Sequence, residues 1–541
     1  MTHPKQKSGD WLDYFFTGML AFGVIGIVVN AFATVYLRSI EPQDPASVLM
    51  AAQDLRHYVF GHDYNSNGLA YHGIGYPALI WCLTVVLGND VLAGVVLNLV
   101  MGAVFLWLAY RIIRELHSRA AALFAVALTA IMPPFIAEAS SISDSMGAAM
   151  FCLAGVAAYL RWAKDGRMRT MFMAGIFLGL AYLFRYFYIS MLVPLVLCAV
   201  LPKGGRMRGV MAAVCLCGGF ILAMAPLGLA TQLAEGAFFY NHSYATYAFN
   251  VLDKENSWLK FMNYAKQYHS MSDVMLSHPW ECVRYATKNF YYFVPKFLFQ
   301  NFYIVGALAP LGLFVALRRM NQRQWMVTLA LGFAMMVVGI AAFLEYRYLL
   351  VMAPFYCLAA YVAVQSDCFP VTVGDLTRSF LGDHKVAERL SLRVAVLVVS
   401  FMPFLYFGAV NLNTIRVGEK ETGLAPQARR AGEYLRTIPI PGAVASSVFS
   451  VGYYSKRRVV PLSNVFPRDS SFDALSQIDW AGSGIAFLIY VEGQSAFEYP
   501  RLSYLLLPES VREGSTLKLL KIIDGSPRIA IYATGGGALK K

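Results

Sequence analysis

Charge is what this chain has least of. Charged residues make up 14% of its 541 residues and apolar residues 58%, with a mean hydropathy of +0.52; soluble proteins carry about 25% and about 45–50% respectively. So small a polar complement cannot cover a soluble globule, which excludes a soluble enzyme and a disordered polypeptide. A disulfide framework is lacking as well. Of the eight cysteines, Cys82, Cys152, Cys198, Cys215, Cys217 and Cys357 fall in apolar segments, Cys282 lies in a long polar loop and Cys368 follows an apolar run. Cys215-Leu-Cys217 has no partners at zinc-ligand spacing. There is no internal repeat at a fixed period and no low-complexity tract. A multi-span membrane protein remains.

The formal charge of +13 is informative through its distribution. Basic residues sit in short loops between apolar runs: Arg111/Arg114/Arg119, Arg161/Lys164/Arg167/Arg169, Lys203/Arg206/Arg208, Arg318/Arg319/Arg323 and Arg378/Lys385/Arg389/Arg393. These are expected to face the cytoplasm, as anchors and not as a nucleic-acid surface. The first apolar run, from near Asp13 to Leu37, is too long for a signal-peptide core and reads as a retained anchor with Lys5 and Lys7 inside. Joining the basic loops in pairs requires external turns near Ser140, Arg185, the stretch 230–296 and Glu345, and sends a last span, about 393–411, outward. Counting Ile74 to Leu87 as a span would put Arg111 to Arg119 on the wrong side, so it is expected to be re-entrant or interfacial, leaving about 11 full spans.

Two external loops and a tail follow from this topology. The first loop, 38–73, carries a helical pattern from Ala46 to Val59 after the turn Glu41-Pro42-Gln43-Asp44-Pro45, with Asp44 placed to cap it. The second, 230–296, is rich in aromatic residues, which suit either an interfacial belt or stacking on sugar rings. Beyond Val417 the composition becomes that of a soluble domain. An amphipathic helix near Ala428 to Arg436 leads through Pro439-Ile440-Pro441-Gly442 to strands such as Ala443–Phe449, Arg458–Pro461, Ile485–Val491 and Leu517–Ile523. The expected architecture is an all-α polytopic membrane domain over 1–411 with a small extracytoplasmic α/β domain over 412–541.

Charges at the outer ends of spans are costly to keep there and are functional candidates by default. Asp44, Asp144, Arg185, Glu345 and Arg347 all fall on the external side. A carboxylate that takes a proton from an acceptor hydroxyl, with arginines that hold a departing phosphate, is what sugar transfer from a lipid phosphate needs. The run Asp44, Ala51-Ala52, Gly61, His72-Gly73-Ile74-Gly75-Tyr76-Pro77 and Gly88-Asn89-Asp90 resembles the first-loop signature of the GT-C membrane glycosyltransferases. Within them it resembles particularly glycosyltransferase family 39 and the protein mannosyltransferase and aminoarabinose transferase group. Ser143-Asp144-Ser145, Gly179-Leu180-Ala181-Tyr182-Leu183-Phe184-Arg185 with Pro194, and Glu345-x-Arg347-Tyr348 with Pro354 are similar to later motifs of that family, in the same order. Tyr453-Tyr454-Ser455-Lys456-Arg457-Arg458-Val459-Val460 resembles a segment of its bacterial external domains.

The resemblance implies a GT-C core, a polyprenyl-phosphate sugar donor, inversion at the anomeric carbon and an active site outside the cytoplasm. In that frame Asp44 is the general base, Arg185 and Arg347 hold the phosphate, Asp144 orients the sugar or supports the base, and Glu345 and His72 contact substrate. A lipid monophosphate implies no obligatory metal, with a divalent ion as an option. The acceptor is a lipid, a glycan or a protein. The overall pattern suits a bacterial inner membrane, with the N-terminus cytoplasmic and the C-terminus periplasmic.

Each residue also has a plainer reading. Asp44 can be an N-cap worth about 1 kcal/mol, Asp144 the cap of a span, Arg185 and Arg347 snorkelling anchors, Glu345 a partner of Arg347, and His72 a turn residue. Asp54 and Asp63 read as surface and turn residues, and His242 has no second metal ligand at suitable spacing. The rival functions are a transporter or flippase of lipid-linked glycans, which would place charges near the bilayer midplane and show paired halves, and an inactive structural subunit.

Overall fold

In the computed structural model the described residues are 10–40, 44–53, 55, 73–200, 206–236, 238, 243–252, 264, 267–317, 327, 332, 346–366, 392–406, 423–462, 465, 475, 477–480, 482–493, 495, 499–507 and 516–534. They fall into two units, each drawn from three stretches of chain. One comprises Met1–Ala33, Val95–Leu227 and Val283–Arg416; the other comprises Thr34–Gly94, Gly228–Cys282 and Val417–Lys541.

Among the described residues four helices are long and apolar enough to cross a bilayer: Trp11–Tyr36, Asp90–Leu116, Asp144–Asp165 and Met207–Leu233. Arg119–Ile131 and Pro133–Ser140, bent by 70° at Met132, make a fifth if taken as one broken span. The bend has a local cause, since Pro133 and Pro134 open the second helix and cannot continue the first. Shorter apolar helices include Met168–Phe184 and Leu350–Gln365.

The helices of the first unit pack by bringing backbones together. A Cβ on Gly175 would lie 2.0 Å from the Leu216 carbonyl oxygen, and one on Gly219 would lie 2.1 Å from the Phe172 carbonyl oxygen. The helices Met168–Phe184 and Arg206–Glu235 therefore touch through glycines on both sides, the device by which membrane helices approach without a hydrophobic driving force.

The second unit contains the helix Asp44–Gln53, which begins at Asp44 itself; most of the rest of the expected Ala46 to Val59 pattern lies outside the described residues. The Gly75–Leu87 helix has 13 residues, about 20 Å at 1.5 Å per residue, short of the roughly 30 Å hydrocarbon thickness. Gly88 ends it in the left-handed region at φ 68°, its N–H donating to the Thr84 carbonyl. Tyr76, from the His-Gly-Ile-Gly-Tyr-Pro run, is buried, and its hydroxyl donates to the Gly94 carbonyl at 3.1 Å.

The C-terminal part of this unit is a five-stranded sheet in the order β2-β1-β3-β5-β4. The strands are β1 Ala443–Ala445, β2 Val459–Val460, β3 Ile485–Val491, β4 Leu517–Ile523 and β5 Ile529–Thr534. β1 runs parallel to β2 and β3, while β5 lies antiparallel between β3 and β4. Side chains of β3 alternate between two cores: Phe487, Ile489 and Val491 face Ala428, Ala431 and Leu435 of the Leu424–Arg436 helix, and Leu488 and Tyr490 face Trp480, Tyr499 and Leu502. Covered on both faces, β3 reads as an unbroken apolar run. The sequence expectation of a strand over Ala443–Phe449 is corrected at its end. The Ser446 hydroxyl accepts from Val448 N at 3.0 Å, which turns the chain into a short helix, Phe449–Ser455.

Candidate active site

In the first unit, two antiparallel helices joined by a tight turn bring residues 41 positions apart in number to one end. Asp144–Asp165 ends at Gly166, left-handed at φ 66°, and Met168–Phe184 runs back. A hairpin of this kind sets the N-terminus of its first helix beside the C-terminus of its second. Asp144 opens the first helix and Arg185 caps the second, so each charge also sits at the favourable end of its helix dipole. They meet. Arg185 Nη2 lies 2.5 Å from Asp144 Oδ1, with the two side chains 15% and 5% exposed. The same guanidinium donates to Ser145 Oγ at 3.3 Å.

A second carboxylate lies beside this pair. Glu138, near the end of the Pro133–Ser140 helix, is buried at 6% exposure and accepts a hydrogen bond from the Ser143 hydroxyl. Ser143 Oγ also accepts from Ser145 N at 3.2 Å as the N-cap of the next helix, so one hydroxyl ties Glu138 to the start of the Asp144 helix. Asn98, fully buried, fixes the turn between them by pointing Nδ2 at the carbonyls of Glu138, Ser141 and Ser143, at 3.2, 2.8 and 2.8 Å. Arg347, in the 3₁₀ helix Tyr346–Met352, and Arg185 both attract Glu138 electrostatically, and Asp144 repels it. Two carboxylates and two guanidiniums thus gather at helix ends, with no net formal charge among the four.

Tyr188 completes the group. It is 1% exposed, lies within electrostatic reach of Asp144 and Arg185, and its hydroxyl has no hydrogen-bond partner among the described residues. A buried hydroxyl of this kind is costly unless something else meets it.

An apolar cavity of about 430 Å³ lies elsewhere in the same unit, lined by Leu116, Ala309, Leu313, Met352, Phe355 and Val362 among others. It follows the Ala353–Gln365 helix from Met352, five residues after Arg347, to Ser366.

Of the residues expected from sequence to form the site, Asp144, Arg185 and Arg347 are brought together in one unit. Asp44 heads its helix in the other unit, where only its backbone is described. His72 and Glu345 lie outside the described residues, as do Asp54, Asp63 and His242. Sequence reasoning missed Glu138. The signal was present: it is the only acidic residue between Glu115 and Asp144, in an otherwise apolar stretch. Among the described residues no group of three or more His, Cys, Asp and Glu side chains has the placement of a metal site.

Comparison with known proteins agrees with the class these features define, a polytopic membrane protein of GT-C fold. Residues 71–228 match the family described as dolichyl-phosphate-mannose-protein mannosyltransferase. The chain is similar to ArnT from Cupriavidus metallidurans bound to undecaprenyl phosphate, at 13% identity and TM-score 0.57, covering 96% of this chain and 99% of that one. The apo state of ArnT gives 12% identity and TM-score 0.56, over 96% and 98%. The oligosaccharyltransferase of Archaeoglobus fulgidus in its apo form gives 13% identity and TM-score 0.57, over 88% of this chain and 69% of that one. No curated protein matched by sequence. The GT-C resemblance read from the motifs therefore stands in both the family match and the fold, and the chain is an integral membrane protein.

Proposed function

We propose that the protein transfers a monosaccharide from a polyprenyl-phosphate carrier to an acceptor hydroxyl on the extracytoplasmic face of the membrane. The observation that carries this reading is the buried meeting of Asp144 and Arg185 at helix ends, with Glu138 and Arg347 beside them. In the reaction the acceptor oxygen forms a bond to the anomeric carbon as the bond from that carbon to the phosphate oxygen breaks on the opposite face, which inverts the centre. Asp44 takes the acceptor proton. The electron pair of the broken bond stays on the phosphate, whose added charge Arg185 and Arg347 meet with bidentate donors.

Asp144 has a sharper role here than orienting sugar, because it already holds Arg185 at 2.5 Å and so aims the guanidinium. Glu138 does the same for Arg347 through charge. The buried Tyr188 hydroxyl is then a donor kept for the ligand. Arginine carries the phosphate charge in this reading, so a divalent cation is not required. The apolar cavity that begins five residues beyond Arg347 and follows its helix for about 20 Å suits a polyprenyl chain. His72 and Glu345 are proposed as further substrate contacts. The location proposed is a bacterial inner membrane with the N-terminus cytoplasmic and the external domain periplasmic; the acceptor is a lipid, a glycan or a protein.

The test is transfer from radiolabelled polyprenyl-phosphate sugars to membrane acceptors, comparing the wild type with Asp44→Asn at equal folded yield. Label should move with the wild type and fall at least about a hundredfold with the variant. Full activity in Asp44→Asn would remove it as the base, and absence of transfer from every donor would remove the enzymatic reading.

A further inference from the structure

The Tyr453-Tyr454-Ser455-Lys456-Arg457 run has no part in the chemistry above, yet its side chains reach back across the sequence to the first loop. Tyr453 is 8% exposed, and its hydroxyl donates to Asp90 Oδ1 at 2.7 Å. The other oxygen of Asp90 accepts from Gln53 Nε2, the last residue of the Asp44–Gln53 helix. Tyr454 uses its hydroxyl as an acceptor for the backbone N–H of Ile40 at 2.8 Å, four residues before that helix begins. Between these points Gly452 lets the two helices close: a Cβ there would lie 3.1 Å from Met50 Cε and 2.1 Å from Val459 Cγ2. One short helix of the external domain therefore grips the first-loop segment before its start, in its middle and at its end. All of these residues belong to one unit.

The grip is built to persist. Asp90 accepts from three donors, since Val91 N also reaches Oδ1 at 2.9 Å, and it stands at the N-terminus of its own helix, where the dipole favours its charge. Burial first, and then the neighbouring Asp90 carboxylate, push the Tyr453 phenol well above its ordinary value, so it remains a donor throughout the physiological range.

We infer that the external domain is a positioning element for the first loop: Tyr453, acting through Asp90 and Gln53, and Tyr454, acting on the backbone at Ile40, fix the helix that begins with Asp44. The inference rests on the proposed role of Asp44 as the base. Tyr453, Tyr454 and Asp90 are positioning residues. None of them needs to touch substrate, and their loss should slow turnover while leaving donor binding as it was.

The test uses the full-length protein in lipid nanodiscs and two readouts, hydrogen exchange by mass spectrometry and steady-state transfer from a polyprenyl-phosphate sugar. Tyr453→Phe removes one hydroxyl. Exchange over residues 40–53 should rise about tenfold, the loss of one hydrogen bond, with the strands 485–491 and 529–534 unchanged. The kcat should fall about tenfold with the donor KM within about twofold. Tyr454→Phe, which keeps the Asp90 link, should give the same pattern and serves if the first variant folds poorly. Unchanged exchange over 40–53, or a rise spread equally through the sheet, overturns the inference, as does faster exchange with unaltered kcat. Asp44→Asn separates the two ideas: full activity there removes the base and with it the positioning role, whereas the exchange result depends only on the grip itself.

Discussion

Asp144→Asn asks whether the ion pair at the helix ends is a buried electrostatic contact or an ornament of the span termini. Charges about 4 Å apart at an effective dielectric of 20 attract by about 4 kcal/mol. Removing one partner of such a pair leaves the other buried, which costs about 3–5 kcal/mol. Arg185 keeps Ser145 at 3.3 Å and the attraction of Glu138 when Asp144 is neutralised, which puts the expected loss at the lower end, about 3 kcal/mol. Arg185→Gln should cost a similar amount, because it strands Asp144 at 5% side-chain exposure beside Glu138. The double variant Asp144→Asn/Arg185→Gln replaces charges by amides and should return to within about 1 kcal/mol of the wild type.

The assay is equilibrium unfolding in mixed micelles followed by tryptophan fluorescence, on all four proteins under one set of conditions. Single losses under about 1 kcal/mol, or a double variant whose loss is the sum of the singles, would refute the buried pairing. The same double variant then separates structure from chemistry. If Arg185 holds the phosphate, stability returns while transfer stays down by at least about a hundredfold. If both return together, the arginine is structural and the phosphate role passes to Arg347.

Two further predictions concern the C-terminal sheet and its helices. Arg457 directs Nη1 to the carbonyls of Ile440 and Gly442 and Nη2 to those of Leu435 and Ile438, and stacks 4.7 Å from the Phe487 ring centroid; Arg457→Ala should lower the domain's stability by about 3 kcal/mol, read as faster hydrogen exchange over 435–445. The Glu492 carboxylate accepts from the Arg528 backbone N–H and then from its side chain, which holds its pKa below the ordinary 4.5. Its contribution is therefore complete above about pH 4.5 and disappears as pH falls through the lowered folded value. With both side chains about 40% exposed, that contribution is about 0.5 kcal/mol, and Glu492→Gln should abolish this part of the acid dependence of the melting temperature.

The part of the site legible in the sequence is the part set by helix ends. Asp144 and Arg185 are linked by a hairpin whose two apolar runs and intervening basic turn are visible residue by residue, so their arrival on one side follows from topology alone. Arg347 follows by the same reasoning from the turn expected near Glu345. Glu138 escapes it because the bend at Met132 takes the chain off the line of the span, and an ionisable residue beyond a proline bend reads as loop. Tyr188 escapes for a different reason. Nothing in Tyr-Phe-Tyr distinguishes a ring that packs from a hydroxyl left unpaired against an ion pair; only burial and partners do.

The C-terminal sheet region shows the same division. Its strands β3 and β4 are readable as apolar runs, and the amphipathic helix by its spacing. The strand β5 between β3 and β4, Ile-Ala-Ile-Tyr-Ala-Thr, is buried along its whole length and is not among the strands singled out. The link from Tyr453 to Asp90 spans 363 residues, and no local pattern encodes a contact at that distance. Yet each end is conspicuous as a motif, Asp90 in the run resembling the first-loop signature and Tyr453 in the tail. A motif whose residues need no chemistry of their own, and which contacts the helix opened by a candidate base, has a physical reason to hold its sequence: a hydroxyl and a carboxylate set the position of a loop whose catalytic value depends on geometry more than on composition.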